Sequence, residues 1–243
     1  MLPLRSKEPI LSVYLSATQL LSASCSGACV EPEESPADLC TRWLQQSASQ
    51  LSGYKLDIEL SGALTTLFCM PFSAAMDSPA AVMRIAGGYA RHALGDSAPT
   101  NYAVIEPLNY HQPVLVWGLD PSLAKLGSSR RQQRVIPYAI AAWNRYSSAL
   151  TERCWMAVLE PERITLLYKH NAYIHDVIVR RLVSNGNAVQ SIQTLIRQQF
   201  HRSVEAVFVV DEFGLIPMDQ TLGTLERITL IQPAFSLVPE KMA

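Results

Sequence analysis

Charged residues are scarce in this chain, and neither sign is in excess. Asp, Glu, Lys and Arg make up 17% of the 243 residues, and 20 basic side chains nearly balance 21 acidic ones. With a net charge near zero, the protein does not attract nucleic acid or an acidic surface electrostatically. The composition therefore argues against a nucleic-acid partner and leaves a protein or a small molecule.

Long apolar runs are missing as well. No stretch reaches the roughly 20 apolar residues of a membrane-spanning helix, so we expect any membrane association to pass through a partner. The segment 10–23 is fairly apolar and follows Lys7, an arrangement that resembles a secretory signal. Pro9 and Gln19 interrupt that arrangement. We expect a cytoplasmic protein, with an exported envelope protein as the alternative.

The sequence also lacks the spacings that metal sites and common nucleophiles require. Its cysteines form an odd set, as expected in a reducing compartment: Cys25, Cys29, Cys40, Cys69 and Cys154. No second Cys or His pair accompanies Cys25 and Cys29 at a ligand spacing. His170 and His175 stand five positions apart near a strand turn, which predicts projection to opposite faces. No nucleophile-elbow pattern occurs, and we find no catalytic set and no metal or cofactor motif.

Hydrophobic periodicity divides the first half into short strands and helices. The predicted strands cover residues 10–15, 20–24, 28–31, 56–60, 63–70, 102–105 and 114–117. The alternation over 56–60 is typical of a half-buried strand. Ser35 followed by Pro36 predicts the start of one helix, and Asp77 predicts the cap of a second helix that ends at Gly95.

The second half repeats this pattern. Residues 153–159, 163–169 and 173–183 predict an antiparallel meander joined by tight turns. A helix with an apolar stripe over 189–200 follows. Residues 204–210 are then apolar on both faces, as in a strand at the centre of a sheet.

Both halves therefore have the order β-β-β-α-β. A meander whose third strand leads through a helix to a parallel strand is the ribonuclease-H-like unit, and two such units side by side make the actin-like architecture. We predict an α/β, actin-like fold with an N-terminal lobe of residues 1–133 and a C-terminal lobe of residues 134–243.

Three segments carry a family resemblance, together with the leading hairpin and the helix that bears a tryptophan. They read LDIELSGALTTLFCMPFS at 56–73, AAVMRIAGGYARHALGD at 80–96 and CWMAVLEPERITLLYKHNAYIHDVIVRRLV at 154–183. In element order and hydrophobic anchors, roughly residues 10–230 resemble the cytoplasmic actin-like domain of the type II secretion component GspL and the related pilus-assembly protein PilM. The resemblance implies a scaffold on the cytoplasmic side of an envelope-spanning machine. Its implied partners are an assembly ATPase or the cytoplasmic tail of an inner-membrane assembly protein. The resemblance does not specify the oligomeric state of this chain.

The nucleotide site of actin-like ATPases is not carried over by this resemblance. Such enzymes hold Mg²⁺ and phosphate with two hairpins, each needing an Asp for the metal and glycines that let backbone N–H groups approach the phosphate. The first turn, residues 14–18, has neither residue type, and the second, residues 160–163, reads Glu-Pro-Glu-Arg. Two glutamates there would repel phosphate, and the proline lacks a backbone donor. We expect a degenerate nucleotide site without catalysis; the alternative is a divergent actin-like ATPase.

The densest basic patch consists of Arg130, Arg131 and Arg134. It lies in the segment 127–137, which the periodicity leaves as a linker between the halves. Such a run is either a solvated face or a docking site for acidic residues of a partner. These three arginines are the candidate partner-binding residues.

Overall fold

The computed structural model describes residues 9–22, 26–95, 101–104, 112–128, 133–182, 187–199, 206–217 and 226–227. The strands are β1 (Ile10–Leu15), β2 (Gln19–Ser22), β3 (Ala28–Cys29), β4 (Lys55–Leu60), β5 (Thr65–Met70), β6 (Asn101–Val104), β7 (Val114–Leu119), β8 (Gln133–Pro137), β9 (Arg153–Glu160), β10 (Arg163–His170), β11 (Tyr173–Arg181), β12 (Ala206–Val210) and β13 (Glu226–Arg227). The helices are α1 (Pro36–Gln46), α2 (Pro79–Leu94), α3 (Pro121–Ala124), α4 (Tyr138–Tyr146) and α5 (Ala188–Arg197), with 3₁₀ turns at Lys125–Ser128 and Ser147–Ala149. None of these described helices combines the length and the apolar character that a membrane crossing needs.

The first sheet has the strand order β3-β2-β1-β4-β8. β1 and β2 form an antiparallel hairpin, whereas β4 lies parallel to β1 and β8 lies parallel to β4. A parallel neighbour requires a crossover connection, and α1 supplies the one from the leading hairpin to β4. This helix begins at a capping box between Ser35 and Asp38 and buries Trp43, as the sequence around Ser35 and Pro36 predicted.

The second sheet repeats that order with β11-β10-β9-β12-β13. β9, β10 and β11 form an antiparallel meander, and β12 lies parallel to β9. The turn between β10 and β11 places Asn171 at φ 56°, a left-handed conformation that asparagine tolerates well. Each sheet thus follows the order third, second, first, fourth, fifth strand, so the two predicted ribonuclease-H-like units are confirmed.

A third, smaller sheet is inserted into the first unit between β4 and β8. β7 lies between β5 and β6 and pairs antiparallel with both. Its own small core packs Met70 of β5 near Val82 of α2. The Ser78 hydroxyl caps α2 by accepting the N–H of Ala81, so the cap predicted at Asp77 is one residue too early.

The segment predicted as a linker is structured from Gln133 onward. Its residues 133–137 form β8 in the first sheet, and α4 follows immediately. Every residue from Tyr138 to Trp143 is buried, so the first turns of α4 have no polar stripe. The linker interpretation is wrong for residues 133–137, which pair with β4. The sequence did not predict α4, because periodicity detects a helix by the contrast between a buried face and an exposed one.

Strand β4 is buried on both faces, contrary to the half-buried strand that its alternation predicts. Leu56, Ile58 and Leu60 are buried apolar side chains, but Asp57 and Glu59 are also only 8% and 1% exposed. A carboxylate at this depth requires a cationic partner. The partners are arginines that lie at least 77 positions away in the sequence.

One hydrophobic cluster joins the two units. It includes Leu15 and Ile58 from the first sheet together with Met156 and Val210 from the second. The units therefore share a core instead of touching only through a connecting segment.

Candidate functional site

The ends of β1 and β9 meet at the junction of the two units, next to the two turns that the resemblance equates with the nucleotide hairpins of actin-like ATPases. The hydroxyl of Tyr14 on β1 donates to Glu160 Oε2 at the end of β9, with a distance of 3.0 Å between the two oxygens. The backbone N–H of Gly62, just beyond β4, donates to the same oxygen at 2.9 Å. A single carboxyl group thus connects the first sheet to the second. We call Tyr14, Gly62, Tyr138, Glu160 and Phe213 the seam.

Glu160 differs from its neighbour Glu162 in burial. Glu162 is exposed in the turn, whereas the Glu160 side chain is wholly buried and accepts hydrogen bonds inside the seam. Burial raises the pKa of Glu160 to about 7, although the Gly62 N–H and the hydroxyls of Ser61 and Tyr14 favour the ionised form. Only one of the two glutamates predicted to repel phosphate therefore presents an exposed charge.

Aromatic rings fill the seam beside this carboxyl. The centroid of the Tyr14 ring lies 5.3 Å from that of Tyr138 and 4.7 Å from that of Phe213, both in edge-to-face contact. Tyr138 and Phe213 are themselves 5.3 Å apart. Burial, reinforced by nearby carboxyls, raises the pKa of both tyrosine hydroxyls. Both hydroxyls therefore remain protonated and act as hydrogen-bond donors at physiological pH.

An arginine placed between two glutamates makes a second connection between the units. Arg145 on α4 donates to Glu59 of β4 (Nη1–Oε1 2.7 Å, Nη2–Oε2 3.2 Å) and to Glu212 after β12 (Nε–Oε1 3.0 Å, Nη2–Oε2 2.8 Å). The hydroxyls of Tyr138 and Tyr146 add donors to Glu212 at 3.0 and 2.8 Å. Burial raises the pKa of Glu59, and Arg145 opposes that rise. We call Glu59, Arg145 and Glu212 the clamp.

A small cavity is lined by two of the five seam residues. The cavity lined by Gly62, Tyr138 and Thr165 has a volume of about 10 Å³. Binding sites for small organic molecules usually enclose about 300–1,000 Å³. A volume of about 10 Å³ corresponds to roughly one water molecule. The contact between Tyr14 and Glu160 places the chain's own side chains between the two hairpins.

Of the predicted partner-binding arginines, Arg134 lies in the described part of the chain, while Arg130 and Arg131 lie outside it. Arg134 on β8 donates to Asp57 on the neighbouring strand β4, through Nε to Oδ1 at 3.0 Å and through Nη2 to Oδ2. Its side chain is 57% exposed. Arg134 therefore has an intramolecular partner with which an acidic ligand would compete, and a docking role for the three arginines remains a prediction.

His170 and His175 lie in contact, with ring centroids 5.0 Å apart. His170 pairs with Tyr173 across the turn, and His175 is the residue that the register skips between Ile174 and Asp176. Alternation along one strand does not hold across a turn, so the predicted projection to opposite faces is wrong. No set of three or more His, Cys, Asp or Glu side chains in the described ranges is arranged to hold a metal ion.

Sequence reasoning did not single out the clamp or the seam residue Tyr14. The available signal was a charged residue beside apolar strand residues: Glu59 lies within β4, and Glu212 follows the apolar strand β12. That signal indicates that a partner is required but does not identify it. Arg145 stands 86 and 67 positions from its two partners.

Comparison with known proteins identifies the architecture. No family model matches the chain, and no curated protein matches it. A solved structure from Bacteroides thetaiotaomicron VPI-5482, described as a protein with an actin-like ATPase fold and unknown function, has a TM-score of 0.59 with 15% identity. That alignment covers 91% of this chain and 88% of the other. The fold is actin-like.

Two further solved structures share this actin-like fold. The cytoplasmic domain of EpsL, an inner membrane component of the type II secretion system of Vibrio cholerae, has a TM-score of 0.53 with 11% identity, over 90% of this chain and 87% of that domain. A chain of the PilM-PilN type IV pilus biogenesis complex has a TM-score of 0.54 with 11% identity, over 83% of this chain and 80% of the other. At such low identities the likeness shows the fold alone.

Proposed function

We propose that this chain is a non-catalytic, cytoplasmic scaffold of a bacterial type II secretion or type IV pilus machine. In this role it binds an assembly ATPase or the cytoplasmic tail of an inner-membrane component, and it reaches the membrane only through that partner. The observation that carries the proposal is the filled seam, in which side chains of the protein occupy the position between the two hairpins.

The seam argues against phosphoryl transfer on chemical grounds. That reaction depends on positioned donors and a metal ion around the transferred phosphate. The turn at residues 16–18 offers neither Asp nor Gly, and Glu160 is engaged with Tyr14 and Gly62. The clamp also joins the two units, and a nucleotide entering between them would have to break this connection.

The structural neighbours support the choice of machine. One is described as the cytoplasmic part of an inner-membrane component of a type II secretion system, and another was solved as a complex between two pilus biogenesis proteins. Both descriptions are compatible with an actin-like domain that serves as a binding platform. The balanced charge of this chain fits a protein partner better than a polyanion.

Calorimetry with ATP and Mg²⁺ tests the absence of a nucleotide site. We expect any binding of ATP to be weaker than a Kd of about 1 mM, so that its binding free energy is less than about 4 kcal/mol. An actin-like protein of known nucleotide affinity serves as the positive control. Micromolar binding, accompanied by a rise in melting temperature with ATP, would instead support the divergent actin-like ATPase.

Capture from the native cells tests the scaffold role. The chain is tagged, crosslinked in the cells and purified, and the bound proteins are identified by mass spectrometry against cells that express the tag alone. We expect a secretion ATPase or an inner-membrane assembly protein.

The mass of the mature N-terminus is measured in the same sample, because cleavage within residues 23–29 would remove β1 and support the exported alternative.

A further inference from the structure

Glu160 is the one carboxyl through which Tyr14 of β1 and Gly62 beyond β4 are both held against the second unit. We propose that Glu160 is a proton-operated latch: its protonated carboxyl keeps these strand ends closed against β9, and loss of the proton loosens them. This device needs no nucleotide and does not depend on which machine the protein serves.

The geometry makes the ionised latch unfavourable. The Glu160 side chain is fully buried, and its Oε2 receives the two donors of the seam. Its Oε1 makes no hydrogen bond within the described part of the chain. A methyl group at Gly62 would lie 3.0 Å from Oε1, so this oxygen is packed against the backbone and is out of reach of bulk water. A buried ionised carboxylate with an unfilled acceptor is strongly disfavoured relative to a neutral carboxyl.

The surrounding ionisable groups do not neutralise this charge. Tyr14 on β1 and Tyr138 on α4 are protonated, and Glu162 in the adjacent turn is an acid. Arg163 on β10 is the cation that acts on Glu160. Its buried Nε makes no hydrogen bond in the described ranges, so its charge is not directed onto Oε1 through that atom. Burial therefore outweighs Arg163 and the donors that favour the ionised carboxylate.

The sign of the pH response follows from linkage. In the closed seam the pKa of Glu160 is about 7, against an ordinary value of 4.5 once the group is hydrated. The closed seam therefore binds the proton more tightly than the open one. Its advantage is complete below the ordinary pKa and is lost as the pH rises through about 7. The clamp, which involves different residues, keeps the units attached while the latch loosens.

Amide hydrogen exchange at Gly62 tests the latch directly, because this N–H is bonded to Glu160. NMR exchange rates of the full chain are measured from about pH 5.5 to about pH 8.5, and the intrinsic pH dependence of exchange is divided out. Linkage between the two pKa values predicts that the open fraction rises about 30-fold over this range. Protection of Gly62 that does not change with pH would overturn the proposal.

Two variants identify the responsible group. Glu160→Gln keeps the shape and an acceptor oxygen but cannot ionise, so the protection of Gly62 should become independent of pH. Glu162→Gln alters the exposed neighbouring glutamate and should keep the wild-type response. A pH response that persists in Glu160→Gln contradicts the latch.

A measurement on the wild-type chain covers the case in which Glu160→Gln fails to fold. The ¹³C chemical shift of the Glu160 carboxyl should titrate with a midpoint near 7. A midpoint below about 5, close to that of an ordinary glutamate, would overturn the proposal without any substitution.

Discussion

Arg145 neutralises two buried carboxylates that come from different units of the protein. Its guanidinium makes two contacts with Glu59 and two with Glu212, and the side chains of these glutamates are 1% and 0% exposed. Replacing Arg145 by Met keeps a long apolar stem and removes the charge together with its donors. The variant therefore isolates what the guanidinium contributes.

The expected loss is large because both partners stay behind in the core. Removing one member of a buried ion pair typically lowers the free energy of unfolding by about 3–5 kcal/mol. For a chain of this length such a loss corresponds to a fall of about 6–20 °C in the melting temperature. Glu212 keeps the hydroxyl donors of Tyr138 and Tyr146, so most of the penalty should fall on Glu59.

Urea unfolding monitored by circular dichroism measures this loss at about pH 7 and again at about pH 5. The difference from the wild type should shrink at the lower pH, because unpaired carboxylates in the core take up protons. Arg84→Met changes an exposed arginine on α2 and should stay within about 0.5 kcal/mol of the wild type. The reasoning is refuted if Arg145→Met loses less than about 1 kcal/mol at pH 7, or if its loss is the same at both pH values.

Two further substitutions test the second sheet and the basic patch. Val210→Asp places an unpaired charge at a fully buried position of β12, beside β9, and should remove about 3 kcal/mol or more of stability in a urea titration. An unchanged midpoint would contradict the central position of β12. Arg130→Glu combined with Arg131→Glu should leave stability within about 0.5 kcal/mol but slow association with the captured partner and weaken its salt dependence in surface plasmon resonance. Undiminished binding by the folded double variant would show that these arginines form only a solvated face.

Much of the fold could be predicted because each unit carries one strong pattern. The meander of β9, β10 and β11 is long, apolar and divided by clear turns, and β12 is apolar on both faces. Strand order within a unit then follows from the crossover after the third strand, since parallel neighbours need such a connection. These are local signals, and the structure confirms them.

Elements without contrast between their faces were harder to predict. α4 is buried around its first turns, and β8 alternates weakly between polar and apolar residues. β8 was included in the supposed linker and α4 was not predicted, because a periodic pattern reports a boundary between core and solvent and says nothing where that boundary is missing. The two histidines were misplaced for another reason: their spacing was counted along the chain through a turn, whereas His170 pairs with Tyr173 across that turn.

The seam shows why absent motif residues are easier to recognise in a sequence than the contacts that stand in their place. The absence of Asp and Gly from the first turn is visible in five consecutive residues, 14–18. The contact that fills the space instead joins Tyr14 to Glu160 across 146 positions, and only the packing of the two units brings them together. A wholly buried glutamate must acquire donors or hold its proton, and Glu160 does both: it accepts from Tyr14 and Gly62, and its pKa rises to about 7. The same carboxyl that closes the seam is therefore the group through which protons can act on it.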